Sequence, residues 1–293
     1  MSLTDVGPSP HDACQATNQH YDLPAEYFAA YLDSRLKYSS GWYSSPAATL
    51  DEAQTAKLHF VARQLGISGG EPVLDVGCGW GSLVMLLATD YGCTVTGITP
   101  SATQAKYVTE LARKLGVRKR VRVTHGSFAE AEVPAGFQCV AMLGSIVHMP
   151  NRTSVLRKAH GLLNRGGALY VSETCFRNKD IYREFAGRPG TRHVTEGIFG
   201  FGDMVPLSTL VTAIEDVGFS LSGLTDLTAH YQRTIDDWQK KAVANRATIE
   251  QVSPGSYQPL IKYLQTANAG WGYTTKHYAI SATKSRLGKV MPA

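Results

Sequence analysis

Short apolar runs alternate with longer segments in which apolar residues recur at helical spacing. The runs have the length of buried strands, and the segments between them have the periodicity of amphipathic helices. The predicted strands are residues 72–77, 94–99, 121–125, 138–143, 167–173, 219–225 and 277–283, and the predicted helices between them are residues 82–90, 101–115, 153–163 and 207–217. This alternation predicts an α/β fold, a Rossmann-like, seven-stranded and mostly parallel sheet with helices on both faces.

Four segments depart from this alternation. Residues 1–19 are polar and are predicted to form a flexible N-terminus, whereas residues 20–66 are predicted to be helical. Residues 177–205 are rich in glycine, arginine and aromatic side chains, which indicates an irregular insertion or lid near the site. Residues 229–267 are predicted to form a helical cap. We therefore expect one domain over residues 20–293 with helical additions at the N-terminus and before the last strand.

Composition excludes several classes of protein. The chain has 43% hydrophobic and 18% charged residues, values that are ordinary for a globular protein. Its five cysteines are widely and irregularly spaced, which predicts neither a disulfide framework nor a zinc site, and no metal is expected. The pattern contains no apolar run long enough to span a bilayer, and it contains no secretory leader. We therefore expect a cytoplasmic protein without stable membrane insertion.

The net charge of +5 does not by itself indicate a particular class of partner. The densest basic cluster lies within residues 113–122, and a solvated helix end explains it more simply than an anion site. Nucleic acid is not an expected partner, because the sequence has no nucleic-acid-binding motif. The expected partner is a small-molecule or lipid-like acceptor, and the sequence leaves homo-oligomerisation open.

The most informative string is VLDVGCGWGSL at residues 73–83, between a predicted strand and a predicted helix. Its glycines, Gly77, Gly79 and Gly81, allow a tight turn and a close approach of the backbone to a ligand. A dinucleotide site requires glycine at the sixth position of the pattern, where this chain has serine. The GxGxG spacing after Asp75, which can lie near the methionine amino group, instead favours S-adenosyl-L-methionine (SAM) as cofactor. Its product would be S-adenosyl-L-homocysteine.

With these motifs the sequence resembles the cyclopropane fatty acid synthase-like branch of the class I SAM-dependent methyltransferases, over roughly residues 20–240. The segments that carry the resemblance are HYDLPAEYFAAYLD (20–33), YSSGWY (38–43), LDEAQTAKLHFVARQLGI (50–67), VLDVGCGWGSL (73–83), VTGITPSATQAKYV (95–108) and HYQRTIDDW (230–238). The GxTxSxxQ variant that begins at Gly97 is typical of this branch, and it accounts for the absence of a ribose-binding acid after the second strand.

The resemblance implies a set of cofactor contacts. Tyr38 and Ser39 would reach the methionine end of SAM, and Gly77 and Gly79 would contact its amino-acid portion. The remaining implied contacts are Thr99 and Gln104 at the ribose, Phe128 beside the adenine, and the backbone of Gly144.

The departures from the family pattern concern catalysis. Where lipid cyclopropane synthases carry a cysteine and a glutamate, this chain has Ser40 and Val147, and the histidine of their fifth strand falls near Ser172. In the family those three side chains belong to a bicarbonate site that removes a proton from the methylated carbocation. Tyr231 is the member of that site that stays in place. The sequence therefore predicts that the usual base for cyclopropanation is missing.

Three residues are candidates for the chemistry that remains. Glu173 ends the fifth strand, where a partly buried carboxylate has a raised pKa and can act as a base, although it can equally cap a turn or pair with Arg177. His148 follows the fourth strand and either orients the substrate or holds a loop. Tyr231 can donate a hydrogen bond or face the sulfonium with its ring, or it can simply pack beneath the C-terminal helix. Arginines in the insertion suggest either an anion clamp or plain solubility.

These observations predict a SAM-dependent methyltransferase that acts on a small, largely apolar acceptor, in the biosynthesis of specialised metabolites or natural products. Methylation of carbon is favoured, on an alkene or a prenyl diphosphate, and methylation of nitrogen or oxygen stays open. Two alternatives remain: a lipid methyltransferase similar to the cyclopropane fatty acid synthases, and a SAM-binding cyclase that transfers no methyl group.

Overall fold

A single mixed sheet forms the centre of the computed structural model, which describes residues 8–285. Its strands are β1 (Pro72–Val76), β2 (Thr94–Thr99), β3 (Val121–His125), β4 (Phe137–Leu143), β5 (Leu163–Phe176), β6 (Phe219–Asp226) and β7 (Thr275–Lys284), in the order β3-β2-β1-β4-β5-β7-β6. β7 runs antiparallel to both of its neighbours, and the other pairs are parallel. The predicted seven-stranded, mostly parallel sheet is therefore confirmed.

Helices cover both faces of the sheet. They are α1 (Pro10–Tyr21), α2 (Ala25–Ala29), α3 (Leu50–Gln64), α4 (Ser82–Asp90), α5 (Ala102–Lys114), α6 (Arg152–Leu162), α7 (Lys179–Phe185), α8 (Pro189–Arg192), α9 (Leu207–Asp216), α10 (Thr228–Ala244), α11 (Arg246–Val252) and α12 (Tyr257–Ala269). Separate hydrophobic clusters fill the two faces of the sheet, and a third lies under the helices near the N- and C-termini. The helices predicted between the strands are confirmed to within about one residue at each end.

The N-terminal predictions are wrong in two places. Residues 10–19 are part of helix α1 rather than of a flexible terminus, and residues 1–7 lie outside the described residues. Within residues 20–66 the long stretch between α2 and α3 is irregular, because the YSSGWYSSP string supplies turn residues rather than helix formers. Helix α3 begins at a capping box, in which Thr49 and Glu52 satisfy each other's backbone N–H groups.

Helix α1 docks on the loop between β2 and α5. The side-chain amide of Asn18 donates to the carbonyl of Pro100 over 2.8 Å. The hydroxyl of Ser101 donates to the carboxylate of Asp22 just beyond the helix, over 2.5 Å. These bonds hold the helix over the carboxyl end of β2, beside the glycine turn that follows β1.

The insertion at residues 177–205 is mostly helical, which corrects the prediction of an irregular segment. It contains α7, α8 and a π-helical turn at His193–Ile198. Asn178 starts α7 by accepting a hydrogen bond from the N–H of Ile181, over 2.9 Å. Neither α7 nor α8 buries a residue fully, so the apolar periodicity that reveals a core helix is weak here.

The end of this insertion touches helix α1 very closely at Gly200. Gly200 has a φ of +70°, and a Cβ there would overlap the carbonyl of Ala16. We expect Gly200→Val to lower the free energy of unfolding by about 2 kcal/mol, because it combines backbone strain with a clash. Chemical denaturation would measure the change. Gly187→Val is the control, since Gly187 is exposed in the same insertion and a Cβ added there would meet no atom within 4 Å. Equal stability of both variants would contradict this contact.

The segment predicted as a helical cap, residues 229–267, contains α10, α11 and α12. Trp238 of α10 is fully buried, and Tyr263 and Leu264 of α12 lie in the same cluster as Phe28 of α2. The cap thus joins the N-terminal helices to the end of the sheet and covers the edge at which the functional residues lie.

Candidate functional site

Two adjoining cavities lie at the carboxyl ends of the parallel strands, the edge where open α/β sheets bind their ligands. We call the one beside the glycine turn the cofactor cleft and the one beneath the cap the acceptor cavity. Four residues line both of them: Tyr21, Tyr38, Gly144 and His148. A ligand in one cavity therefore comes within reach of a ligand in the other.

The glycine turn after β1 lines the cofactor cleft. Gly77, Gly79 and Gly81 have φ values of +81°, +55° and +79°, a region that side chains other than glycine disfavour. A Cβ on Gly77 would collide with Ser145, and one on Gly81 would lie 2.8 Å from Val108. A Cβ on Gly79 would meet no protein atom within 4 Å and would instead fill the cleft. This open cradle fits the close approach of a cofactor.

The structure brings together most of the predicted cofactor residues. Tyr38, Gly77, Gly79, Thr99, Gln104, Phe128 and Gly144 all line the cofactor cleft. The hydroxyl of Thr99 donates to the side-chain oxygen of Gln104 over 2.6 Å, which leaves the amide nitrogen of Gln104 free to donate. Phe128 is only 3% exposed, and the ammonium group of Lys158 lies 5.1 Å from its ring centre.

Ser39, Asp75 and Gly81 do not line the cleft. Asp75 is fully buried behind the turn, and burial raises its pKa to about 6 while Lys37 and Lys57 oppose the shift. The hydroxyl of Ser39 accepts a hydrogen bond from the ammonium group of Lys57 over 2.8 Å. These residues therefore support the turn from behind.

Sequence reasoning missed Lys37 and the cleft residues of α1. Lys37 is buried and lines the cleft, and burial lowers the pKa of its ammonium group while the nearby carboxyl group of Asp75 opposes the shift. Cys14, Thr17 and Tyr21 line the cleft from α1. A signal for this helix was present, because Ser9 caps it and proline occupies its first turn.

The acceptor cavity has a volume of about 420 Å³ and is lined largely by aromatic and apolar side chains. Its walls come from β5, β7, α10, α12 and the insertion. The aromatic residues that line it are Tyr21, Tyr38, Phe185, Phe199, Tyr231, Tyr263 and Trp271. The ring centres of Tyr231 and Trp271 are 4.9 Å apart, and those of Phe199 and Tyr263 are 5.5 Å apart. Such a cavity suits an apolar ligand or a delocalised cation.

Glu173 carries the acidic group of this cavity. Its side chain is 7% exposed, and burial raises its pKa to about 7. The N–H groups of Val147 and Thr174 donate to its two carboxylate oxygens, over 3.2 and 2.9 Å. The alternative ion pair with Arg177 does not form, because the guanidinium of Arg177 lies over the ring of Tyr273 instead. A carboxylate with this pKa changes its protonation state near neutral pH.

His148 and Tyr231 both line the acceptor cavity. Nδ1 of His148 is 2.8 Å from the carbonyl oxygen of Phe201 and therefore donates to it, which leaves Nε2 as an acceptor. Burial lowers the pKa of His148, so its ring is neutral. Burial raises the pKa of Tyr231 well above its usual value, so its hydroxyl keeps its proton. Both residues can therefore form hydrogen bonds as uncharged groups.

The arginines of the insertion do not converge on the cavity. Arg183 pairs with Asp180 on α7, and both side chains are exposed. Arg188 does line the cavity, but its guanidinium pairs with Glu184. The arrangement favours solubility of the insertion over an anion clamp.

Two further predictions concern absences. Within residues 8–285, no group of three or more His, Cys, Asp or Glu side chains is placed to hold a metal ion. Over the same residues, the helices are too short or too polar to cross a bilayer.

Comparison with protein families adds independent evidence. A model of the family described as mycolic acid cyclopropane synthetase matches residues 9–279. Cyclopropane mycolic acid synthase 1 of Mycobacterium tuberculosis is 28% identical over 254 residues, covering 84% of this chain and 88% of that protein. Sphingolipid C9-methyltransferase 2 of Gibberella zeae is 27% identical, covering 80% of this chain and 46% of that protein. A probable (S)-tetrahydroprotoberberine N-methyltransferase 2 of Papaver bracteatum is 28% identical, covering 80% and 66%. The chain therefore spans about half to two thirds of the length of these last two relatives.

Solved structures agree with the fold and the cofactor. The cyclopropane synthase MmaA2 from Mycobacterium tuberculosis superposes with a TM-score of 0.85 at 23% identity, covering 96% of this chain and all of that one. Mycolic acid cyclopropane synthase CmaA1, complexed with S-adenosylhomocysteine and CTAB, superposes with a TM-score of 0.83 at 25% identity, covering 92% and 98%. The class of cofactor predicted from the glycine turn is thereby confirmed. The chain belongs to the mycolic acid cyclopropane synthetase family and has the fold of its SAM-dependent methyltransferases.

Proposed function

We propose that this protein transfers the methyl group of SAM to a small, largely apolar acceptor, with carbon as the favoured site of methylation, in the biosynthesis of specialised metabolites. The observation that carries this proposal is the aromatic acceptor cavity, which adjoins the cofactor cleft and contains one buried carboxyl group, Glu173. SAM supplies an electrophilic methyl group, and most of what a protein adds to such a transfer is orientation.

The residues of the two cavities position the ligands, accept the proton and exclude water. Tyr38 and His148 separate the two ligands and fix their distance, because they line both cavities. Glu173 accepts the proton that the acceptor loses when its new carbon–methyl bond forms. The aromatic walls exclude water and stabilise positive charge that develops on the acceptor.

A lipid acceptor is a second candidate. It is favoured by the sequence relatives, which are named as mycolic acid and sphingolipid enzymes. The altered residues Ser40, Val147 and Ser172 argue that the family's usual base is missing. Methylation of a lipid by this protein would therefore also depend on Glu173 as the base.

Isothermal titration with SAM, S-adenosylhomocysteine and NADH is the first experiment. We expect micromolar binding of both sulfur compounds and no binding of NADH. Methyl-labelled SAM would then be tested with a panel of apolar alkenes, phenols, amines and phospholipid vesicles. Label in a small molecule supports the proposal, and label confined to the phospholipid supports the lipid candidate. Tight binding of SAM without labelling of any acceptor would contradict methyl transfer.

A further inference from the structure

Strand β7 places an imidazole in the acceptor cavity that belongs to no sequence motif. His277 is 1% exposed and lines the cavity beside Tyr231, with 4.7 Å between the two ring centres. Its Nε2 atom is buried and has no hydrogen-bond partner among the residues that the structure describes. Buried polar atoms without a partner are uncommon in folded proteins, so this atom requires an explanation.

The proton on this ring can be located from its other nitrogen. Nδ1 of His277 lies 3.0 Å from the hydroxyl oxygen of Thr174 on the neighbouring strand β5. The hydroxyl has no other hydrogen-bond partner in the described part of the chain. We therefore assign it as the donor and Nδ1 as the acceptor of this hydrogen bond. Nε2 then carries the proton of the neutral ring. Burial lowers the pKa of His277 to about 3, which keeps the ring neutral at physiological pH.

A second N–H donor lies beside the same tyrosine. Trp271 lines the cavity, its ring centre is 4.9 Å from that of Tyr231, and its Nε1 atom is also buried without a partner among residues 8–285. The indole nitrogen can only donate. The wall around Tyr231 therefore carries two unused donors, whereas Glu173 supplies an acceptor when it is ionised.

We propose that the N–H donors of this wall, His277 Nε2–H and Trp271 Nε1–H, bind oxygen of the acceptor, so that the cavity selects apolar molecules that carry a carbonyl or phenolic oxygen. This inference rests on the proposed function, because it takes the cavity to be the acceptor site. An acceptor oxygen bound at either donor satisfies that donor, whereas an alkene of the same shape leaves both donors unpaired. Leaving a buried donor unpaired costs about 1–3 kcal/mol, which makes the cavity discriminate between such molecules.

The experiment compares two probes of nearly the same shape, acetophenone and α-methylstyrene, which differ by a carbonyl oxygen in place of a methylene group. Each is titrated by calorimetry into the protein with S-adenosylhomocysteine bound, so that no methyl group is transferred. Alkaline pH keeps Glu173 ionised, and an ionised carboxylate cannot donate to the ketone. The quantity measured is the ratio of the two dissociation constants.

We expect His277→Phe to shift this ratio about tenfold towards α-methylstyrene, and Trp271→Phe to shift it in the same direction. His59→Phe is the control, because His59 contacts Tyr91 outside the cavity, and it should leave the ratio unchanged. An unchanged ratio in both cavity variants would overturn the proposal. So would failure of the wild-type cavity to bind either probe.

Nitrogen NMR of the histidine rings in the wild-type protein tests the same proposal without relying on a folded variant. We expect His277 to carry its proton on Nε2, and we expect Thr174→Val to weaken that preference by removing the donor to Nδ1. A wild-type ring protonated on Nδ1 would overturn the proposal. Titration with S-adenosylhomocysteine alone reports on the cofactor cleft, so a failure of the proposed function there is distinguishable from a failure of this inference.

Discussion

A valine in place of Gly79 is expected to lower the affinity for SAM at least about 100-fold while the protein stays folded. A Cβ at this position meets no protein atom within 4 Å, and the added side chain therefore occupies space in the cofactor cleft. The loss arises from steric exclusion of the ligand, which must approach the backbone closely at this turn. Isothermal titration with SAM and with S-adenosylhomocysteine would measure it.

Backbone strain is the alternative cause, and Gly66 provides a matched control for it. Gly66 has a φ of +65°, close to the +55° of Gly79, and its added Cβ also meets nothing within 4 Å. Gly66 follows helix α3 and does not line the cleft. Gly66→Val should therefore lose a comparable amount of stability, about 1–2 kcal/mol, and keep its affinity for SAM. Similar affinities for SAM in both variants would show that the turn is not the cofactor site.

The centre of the sheet could be predicted from the sequence because β1, β2 and β4 are buried on both faces over most of their length. The apolar runs predicted as β1 and β2 match the observed strands to within one residue at each end. The turn between β1 and α4 could also be predicted, because its glycines follow one another at every second position. Strand β5 is longer than its predicted extent, 167–173, because its carboxyl end pairs with β7 and Leu163 at its start pairs with Phe137 of β4. These pairings depend on tertiary contacts and leave no trace in the local pattern.

The parts of the site that sequence reasoning missed share a physical cause. Helix α1 and the insertion bury few residues, so their apolar periodicity is too weak to distinguish them from loops. His277 lies within a strand pattern, and only the pairing of β7 with β5 brings it to Thr174 and the acceptor cavity. The position of Asp75 before the turn predicts a place at the ligand, yet the strand geometry points its side chain towards two buried lysines.

Glu173→Gln is expected to lower kcat/KM for the acceptor by about 100-fold without changing the affinity for SAM, because the amide cannot accept a proton. The pKa of Glu173 is raised to about 7 by burial, and the ionised form is the base. Wild-type kcat/KM should therefore rise with pH through about 7, and the glutamine variant should lack this inflection. Glu215→Gln, on the exposed side of α9, is the control and should behave as wild type.

The same carboxyl group predicts a change in stability that needs no knowledge of the acceptor. The pKa of Glu173 rises from its ordinary value of 4.5 to about 7 on folding, so the folded state holds this proton more tightly than the unfolded state. Between these values the unfolded chain has lost the proton and the folded protein retains it, so the free energy of unfolding falls as pH rises. The loss approaches about 3 kcal/mol above pH 7, since each pKa unit corresponds to about 1.4 kcal/mol. Glu173→Gln should remove this part of the pH dependence, and parallel stability profiles for the variant and the wild type would show that Glu173 is not the buried base of the cavity.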